Sequence, residues 1–188
     1  YKNIELDLSY VLYEMEKEGV SCDINELDII ASKTNEKLKE LQADIYALAG
    51  EEFNINSPMQ LKDIIYNKLD LPNLKKDSTD AEVLNKLVDY HPIISKILDY
   101  RKYSKLNSTY AEGLKKYIGS DGKIHSIFSQ TSTATGRLSS SEPNMQNISI
   151  RDEELREIRK AFKPSANHLI LSCDYSQIEL RVLAALAH

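Results

Sequence analysis

The sequence predicts an α+β fold in which helices come first and strands follow. Two observations carry this. Apolar residues recur at helical spacing from Ile4 to about Tyr117, and after Gly119 the chain turns to Ser, Thr and β-branched residues in partial alternation. Separate runs of the two periodicities point to α+β rather than to an alternating α/β sheet. The bulk numbers agree with a globular chain: 188 residues, 41% apolar, 28% charged, formal net charge -5. Val182–Ala187 is the longest unbroken apolar stretch, far short of the ~20 residues of a membrane helix. Cys22 and Cys173 lie far apart and neither forms a metal-ligand pair, so a disulfide scaffold is excluded and a reducing compartment is expected. The first residues lack a signal-peptide layout. The chain opens on Tyr1 and stops inside the apolar-periodic Ile178–Ala187, as a piece of something longer would.

The elements follow in order. Ile4, Leu8, Val11, Leu12 and Met15 define a first helix with Gly19 as its stop. A long second helix runs from about Asn25 to Ala49 along Ile30, Leu38, Leu41, Ile45 and Leu48, with Gly50 behind it. Ser57-Pro58-Met59-Gln60 has a capping hydroxyl, a first-turn proline and a third-position Gln. Thr79-Asp80-Ala81-Glu82 offers a second capping box before Val83, Leu84, Leu87 and Val88. His91-Pro92 breaks that helix, and another is expected from about Ile93 to Tyr117. Ser120–Lys123 is turn chemistry, and Ile124–Ala134 reads as strands. Ser139–Asn147 reads as loop and Arg151–Lys160 as a short charged helix. His168–Asp174 reads as a buried strand, with Cys173 a core thiol, before a last helix over Ile178–Ala187.

Charge is unevenly spread. Between Ile93 and Arg151 nine basic residues, among them Arg101, Lys105 and Lys116, stand against four acidic ones. A basic stretch in an acidic chain suits a polyanion, although a solvated helix face carries the same pattern. Asp174 ends an apolar strand where a turn leaves its oxygens open, a good seat for Mg²⁺ and equally a place for a turn-capping aspartate. Gly136 allows a tight turn beside the rigid donors of Arg137. Asn144-Met145-Gln146-Asn147 can donate neutral hydrogen bonds to minor-groove acceptors, or be an ordinary polar loop.

Three strings then bear on one another. Thr133-Ala134-Thr135-Gly136-Arg137-Leu138-Ser139-Ser140, Pro143-Asn144-Met145-Gln146-Asn147-Ile148 and Asp174-Tyr175-Ser176-Gln177-Ile178-Glu179-Leu180-Arg181 resemble, in order and spacing, the bacterial family A DNA polymerases, the last string resembling motif A. Tyr100-Arg101, Lys105-Leu106 and Ser108-Thr109-Tyr110 are similar to the thumb helix of that family, and Phe53-Asn54-Ile55 before Ser57 to another thumb segment. The resemblance spans nearly the whole chain, weakly before Phe53 and strongly after Thr133.

The resemblance implies a mainly helical thumb at 1–116 and the first part of a palm with antiparallel strands at 117–188. It implies template-directed DNA synthesis in replication and repair: a primer 3′-hydroxyl attacks a deoxynucleoside triphosphate with two Mg²⁺ ions. Primer–template DNA and deoxynucleoside triphosphates would be the partners of a monomeric, cytoplasmic, nucleoid-associated enzyme. Asp174 would bridge the metals and the Tyr175 carbonyl would ligate one. Ser176, Gln177, Glu179 and Arg151 would face the nucleotide, with Glu179 closing off the ribose 2′ position. Arg137 would serve catalysis from the minor-groove edge at the primer terminus, beside Thr135, Asn144, Gln146 and Asn147. Arg101 and Lys105 would hold phosphates from the thumb. Asn107 departs from the family's common basic residue. The family's finger helix and His-Asp-Glu segment are not among these 188 residues, so the chain alone is expected not to polymerise. Without the resemblance, the same features suit a non-catalytic duplex-binding module, or a helical interaction protein with no nucleic-acid role.

Overall fold

In the computed structural model, which describes residues 2–148 and 156–187, the helical first part is organised by one long helix. Helix α1 (Glu5–Glu18) ends at Gly19, whose φ of 64° and N–H bond to the Met15 carbonyl close the last turn. A two-residue strand β1 (Val20–Ser21) leads to α2 (Ile24–Ala49). Asp23 caps α2 by accepting from the Asn25 N–H at 2.9 Å, and Gly50, in the left-handed region, terminates it. At 26 residues α2 is about 39 Å long, enough to serve two separate cores.

The first core lies at the C-terminal end of α2. Ile45 and Ala49 pack with α3 (Pro58–Lys62), α4 (Ala81–Leu87) and α5 (Pro92–Lys105) through Leu61, Leu84, Leu87, Ile93 and Ile97. These side chains are fully buried, each worth roughly 1.5–3 kcal/mol relative to exposure. The hydroxyl of Ser57 caps α3 as expected, but Gln60 reaches past the cap to accept from the Asn54 N–H at 2.7 Å. Helix α3 then continues as a π-helical turn, Asp63–Lys68. The second expected box does not form: Asp80 is the N-cap of α4 without a side-chain bond. Thr79 is instead occupied by Arg101, which donates to its carbonyl and to its hydroxyl. His91 caps α5, its Nδ1 accepting from the Ile93 N–H at 3.2 Å.

The second core lies at the N-terminal end of α2. Leu27, Ile30 and Ala31 meet Leu106, Tyr110, Leu114, Ile124 and Ile158. The expected single helix from Ile93 to Tyr117 is here three pieces: α5, a π-helical turn (Leu106–Ala111) and a 3₁₀ turn (Lys115–Tyr117). Strand β2 (Lys123–Ile124) pairs antiparallel with β1, Val20 opposite Ile124. Strand β3 (Ile127–Ser129) pairs antiparallel with β4 (Ser139–Ser141), Phe128 opposite Ser140. The segment expected to be loop thus holds β4 and a 3₁₀ turn, Met145–Asn147. Of the expected charged helix Arg151–Lys160, residues 151–155 lie outside the described part, Arg156 is helical, and Glu157–Ala161 form a 3₁₀ turn that buries Ile158 and Ala161.

The last expectation fails outright. Residues 168–175 carry no regular secondary structure and pair with no strand, and Leu169 and Leu171 are 93% and 86% exposed. A strand needs a neighbour for its N–H and C=O groups, and the two described sheets are β1–β2 and β3–β4. Cys173 is correspondingly exposed, not a core thiol. Helix α6 (Ile178–Leu186) follows, as expected, with its apolar residues in solvent. No helix among the described residues is long and apolar enough to cross a membrane.

Candidate nucleic-acid interface

A groove of about 900 Å³ separates the end of α5 and its π-helical turn from the loop that follows β4. Lys105, Thr109 and Lys116 form one wall; Asn144, Gln146 and Asn147 form the other. Lys105 is exposed, and the Lys116 ammonium lies 4.8 Å from the Tyr117 ring centre. The rest of the basic stretch is largely engaged elsewhere. Lys96 pairs with Asp44, Lys123 with Glu18, and Lys115 with both Asp28 and Glu112, which raise its pKa. Arg101 is turned inward on Thr79, and burial lowers its pKa. Its guanidinium is a strut between α5 and the start of α4, and the groove is not lined by it.

The amide wall is partly self-satisfied. Asn144 Oδ1 accepts from the Gln146 N–H at 3.0 Å and from the buried Ser140 hydroxyl at 3.1 Å. Gln146 Nε2 donates to the Leu138 carbonyl at 3.2 Å. The loop therefore has a defined shape, and fewer free donors than its composition suggested. Both its ends are tied by hydroxyls: Ser126 Oγ donates to the Pro143 carbonyl at 3.0 Å, and the Tyr110 phenol to the Asn147 carbonyl at 2.6 Å.

Arg137 and motif-like residues make a second group. Gly136 has φ of 75° with open space where a Cβ would stand, so glycine is favoured there by backbone conformation and not by crowding. Thr133 Oγ1 donates to the Arg137 carbonyl at 2.6 Å, closing the turn in which exposed Thr135 sits. The Arg137 guanidinium reaches Glu179 Oε1 at 3.0 Å, both side chains exposed. Glu179 is in the first turn of α6, and Gln177, with φ of 51°, turns the chain into it. Arg181 Nε holds the Ser176 carbonyl at 3.0 Å. Asp174 and Tyr175 lie on the irregular segment just before, open to solvent. One open carboxylate beside a main-chain carbonyl fits a Mg²⁺ ion that keeps waters and substrate phosphates in its shell. Among the described residues, no three His, Cys, Asp or Glu side chains gather into a fuller metal site.

The structure thus joins Lys105 to Asn144, Gln146 and Asn147 across one groove, and Arg137 to Glu179. The Gln146–Leu138 bond links the two groups. Arg101 stands apart, and Arg151 lies outside the described residues. Sequence reasoning did not single out His125. Its Nδ1 lies 2.7 Å from the Glu16 carbonyl and its Nε2 3.0 Å from Asp121, contacts that raise its pKa and pin the end of α1. The nearest signal was Gly19, where a Cβ would meet the His125 ring at 2.7 Å.

A family model described as DNA polymerase family A matches residues 24–188. The chain is 51% identical over 189 residues to DNA polymerase I of Caldicellulosiruptor bescii, covering 98% of the chain and 22% of that protein. It is 44% identical over 194 residues to the thermostable DNA polymerase I of Thermus aquaticus, covering 100% of the chain and 23% of that protein. Among solved structures, the POL domain of Pol1 from M. smegmatis, in complex with DNA primer-template and dNTP, matches with a TM-score of 0.92. That match is 37% identical and covers 98% of the chain and 34% of its counterpart. The chain spans about a fifth of the length of these curated relatives.

Proposed function

The chain belongs to DNA polymerase family A, and from that membership we propose that it supplies the primer–template surface and one catalytic carboxylate of a template-directed DNA polymerase. The observation that carries this reading is the groove in which Lys105 and Lys116 face Asn144, Gln146 and Asn147. Lysines on one wall suit phosphates, whatever the sequence, and amides on the other suit minor-groove acceptors, which recur in every base pair. A copying enzyme requires both kinds of indifference to sequence. Residues 1–116 act as thumb and 117–188 as part of the palm, joined through the second core, which draws side chains from both sides of that boundary.

In the reaction a primer 3′-hydroxyl attacks the α-phosphate of a deoxynucleoside triphosphate and pyrophosphate leaves. Asp174 and the Tyr175 carbonyl would hold Mg²⁺, which supplies a lowered hydroxyl pKa and neutralises charge on the phosphate oxygens. Arg137 orients the primer terminus from the minor groove, and Thr135 sits beside it. Ser176, Gln177 and Arg151 border the triphosphate. Glu179 limits space at the ribose 2′ position, where an added hydroxyl both collides and loses its water. Arg101 contributes by holding α5 in place, which leaves phosphate contact to Lys105.

The test is a polymerase of a relative in which these 188 residues replace the matching segment. It is expected to incorporate nucleotides, and Asp174→Ala to abolish incorporation while duplex binding stays within about twofold, since the carboxylate adds no phosphate contact. Retained incorporation in D174A would remove Asp174 from the mechanism. Absence of duplex binding by the unsubstituted chain would remove the groove from it.

A further inference from the structure

The loop carrying Asn144, Gln146 and Asn147 is short, polar and mostly exposed, yet its shape has to be fixed if its amides are to meet a duplex at constant spacing. Two hydroxyls from elsewhere in the chain hold it. Ser126, between β2 and β3, is buried and donates to the carbonyl of Pro143. Tyr110, 37 residues before its partner, donates to the carbonyl of Asn147 at 2.6 Å. Asn147 is the last residue of the 3₁₀ turn, where carbonyls have no partner within the turn.

Tyr110 can reach that carbonyl because of how its helix ends. Five residues after Lys105, an unbroken α-helix would carry Tyr110 about 140° around the axis. The chain instead makes a π-helical turn, with the Glu112 N–H bonded to the Asn107 carbonyl at 2.8 Å. The extra residue per turn rotates the later positions back, and Lys105 and Tyr110 come to line the same groove. Gly113 permits the arrangement: a Cβ there would sit 2.5 Å from the Ser108 carbonyl oxygen and closer still to that of Thr109. The Tyr110 ring is 4% exposed, held among Leu106, Leu114 and Leu27 in the second core. Its phenol oxygen is therefore a fixed point on the rim of the groove.

We propose that Tyr110 is a positioning residue of the groove, its phenol setting the place of the amide loop opposite Lys105. The inference rests on reading that groove as the duplex surface. Tyr110 touches the loop backbone and acts on DNA only through Asn144, Gln146 and Asn147.

The experiment compares the unsubstituted chain with Tyr110→Phe, Ser126→Ala and Lys105→Ala, titrating labelled primer–template duplex across a salt series and following backbone amide exchange in the free protein. Y110F keeps the packed ring and loses one hydrogen bond. It should weaken duplex binding about 3- to 10-fold with the log–log salt slope unchanged, because no phosphate contact is lost. K105A should reduce the slope by about one. In the free protein Y110F should speed exchange at Gln146 and Ile148 roughly tenfold and leave the α2 amides unchanged. S126A, which frees the other end of the loop, should act in the same direction and stands in for Y110F should that variant not fold. Unchanged duplex affinity together with unchanged loop exchange overturns the proposal, as does a salt slope in Y110F lowered as in K105A. Faster loop exchange in a chain that binds no duplex would keep Tyr110 as the anchor of the loop and reject the duplex reading of the groove.

Discussion

Helix α5 and the segment 168–187 both carry apolar runs, the second the richer in them, and they meet opposite fates. Ile93, Ile94 and Ile97 are wholly buried against α2 and α4, whereas Leu169, Leu171 and Leu186 are 80% exposed or more. Apolar periodicity states that a segment needs a covering partner. It does not state that the partner is nearby in the same chain. For α5 the partners are within about fifty residues, on helices that fold locally; for 168–187 no described residue covers the apolar side chains. Asp174, Tyr175 and Glu179, proposed for nucleotidyl transfer, sit on the uncovered segment, whereas Lys105, proposed for gripping DNA, ends the covered helix.

That contrast can be tested by substitution. Ile97→Ala should cost about 2–5 kcal/mol by denaturant unfolding, because a filled site in the first core is emptied, whereas Leu171→Ala should stay within about 0.5 kcal/mol. Equal effects would show that the segment is packed in solution. Gly113→Ala should cost about 1–3 kcal/mol, since the new methyl meets two backbone carbonyls and the π-helical turn must deform. Arg101→Ala should cost about 1–3 kcal/mol by stranding the Thr79 carbonyl, with little change in the salt slope of duplex binding. A slope that falls as in K105A would restore Arg101 to phosphate contact.

The two cysteines divide in the same way, one buried and one exposed. Burial, with Asp23 beside it, pushes the Cys22 thiol up to about 11, whereas Cys173 is exposed. Brief alkylation of the native chain at pH 8 should label Cys173 and spare Cys22, as peptide mapping would show. The smallest effect concerns His125, whose pKa is raised by the Glu16 carbonyl first and Asp121 second. Its contribution is full below the unfolded imidazole pKa of about 6.5 and is lost as pH rises through the higher folded value. Stability of the chain relative to His125→Gln should therefore narrow over that window, and a constant difference between the two would contradict the imidazolium.

Much of the frame was legible because it is local. Gly19, Gly50, the Ser57 cap and the His91-Pro92 break each act within four residues, and each element stands where those signals put it. What was not legible joins distant residues. Arg101 finds Thr79 across 22 positions, and that bond takes Thr79 from its expected capping role and Arg101 from the groove. The π-helical turn at Leu106–Ala111 has no composition of its own; only Gly113, crowded by backbone, marks it. Of the candidate site, the groove that sets Lys105 across from the amide loop joins residues about forty positions apart, and neither sequence string states that juxtaposition. The segment around Asp174 lacks the strand pairing that its alternation implied, since alternation encodes a face and not a neighbour.

Helix α2 has one more consequence. Its first turns belong to one core and its last turns to the other, with a single rigid rod between. Such a rod acts as a lever: a tilt of about 5° at the Leu27 end sweeps the Ala49 end through roughly 3 Å over its length. The first core should therefore swing as a body about a fulcrum at Leu27–Ala31. An adjustment too small to disturb the packing beside the groove would be read at the far tip as a displacement the width of an atom.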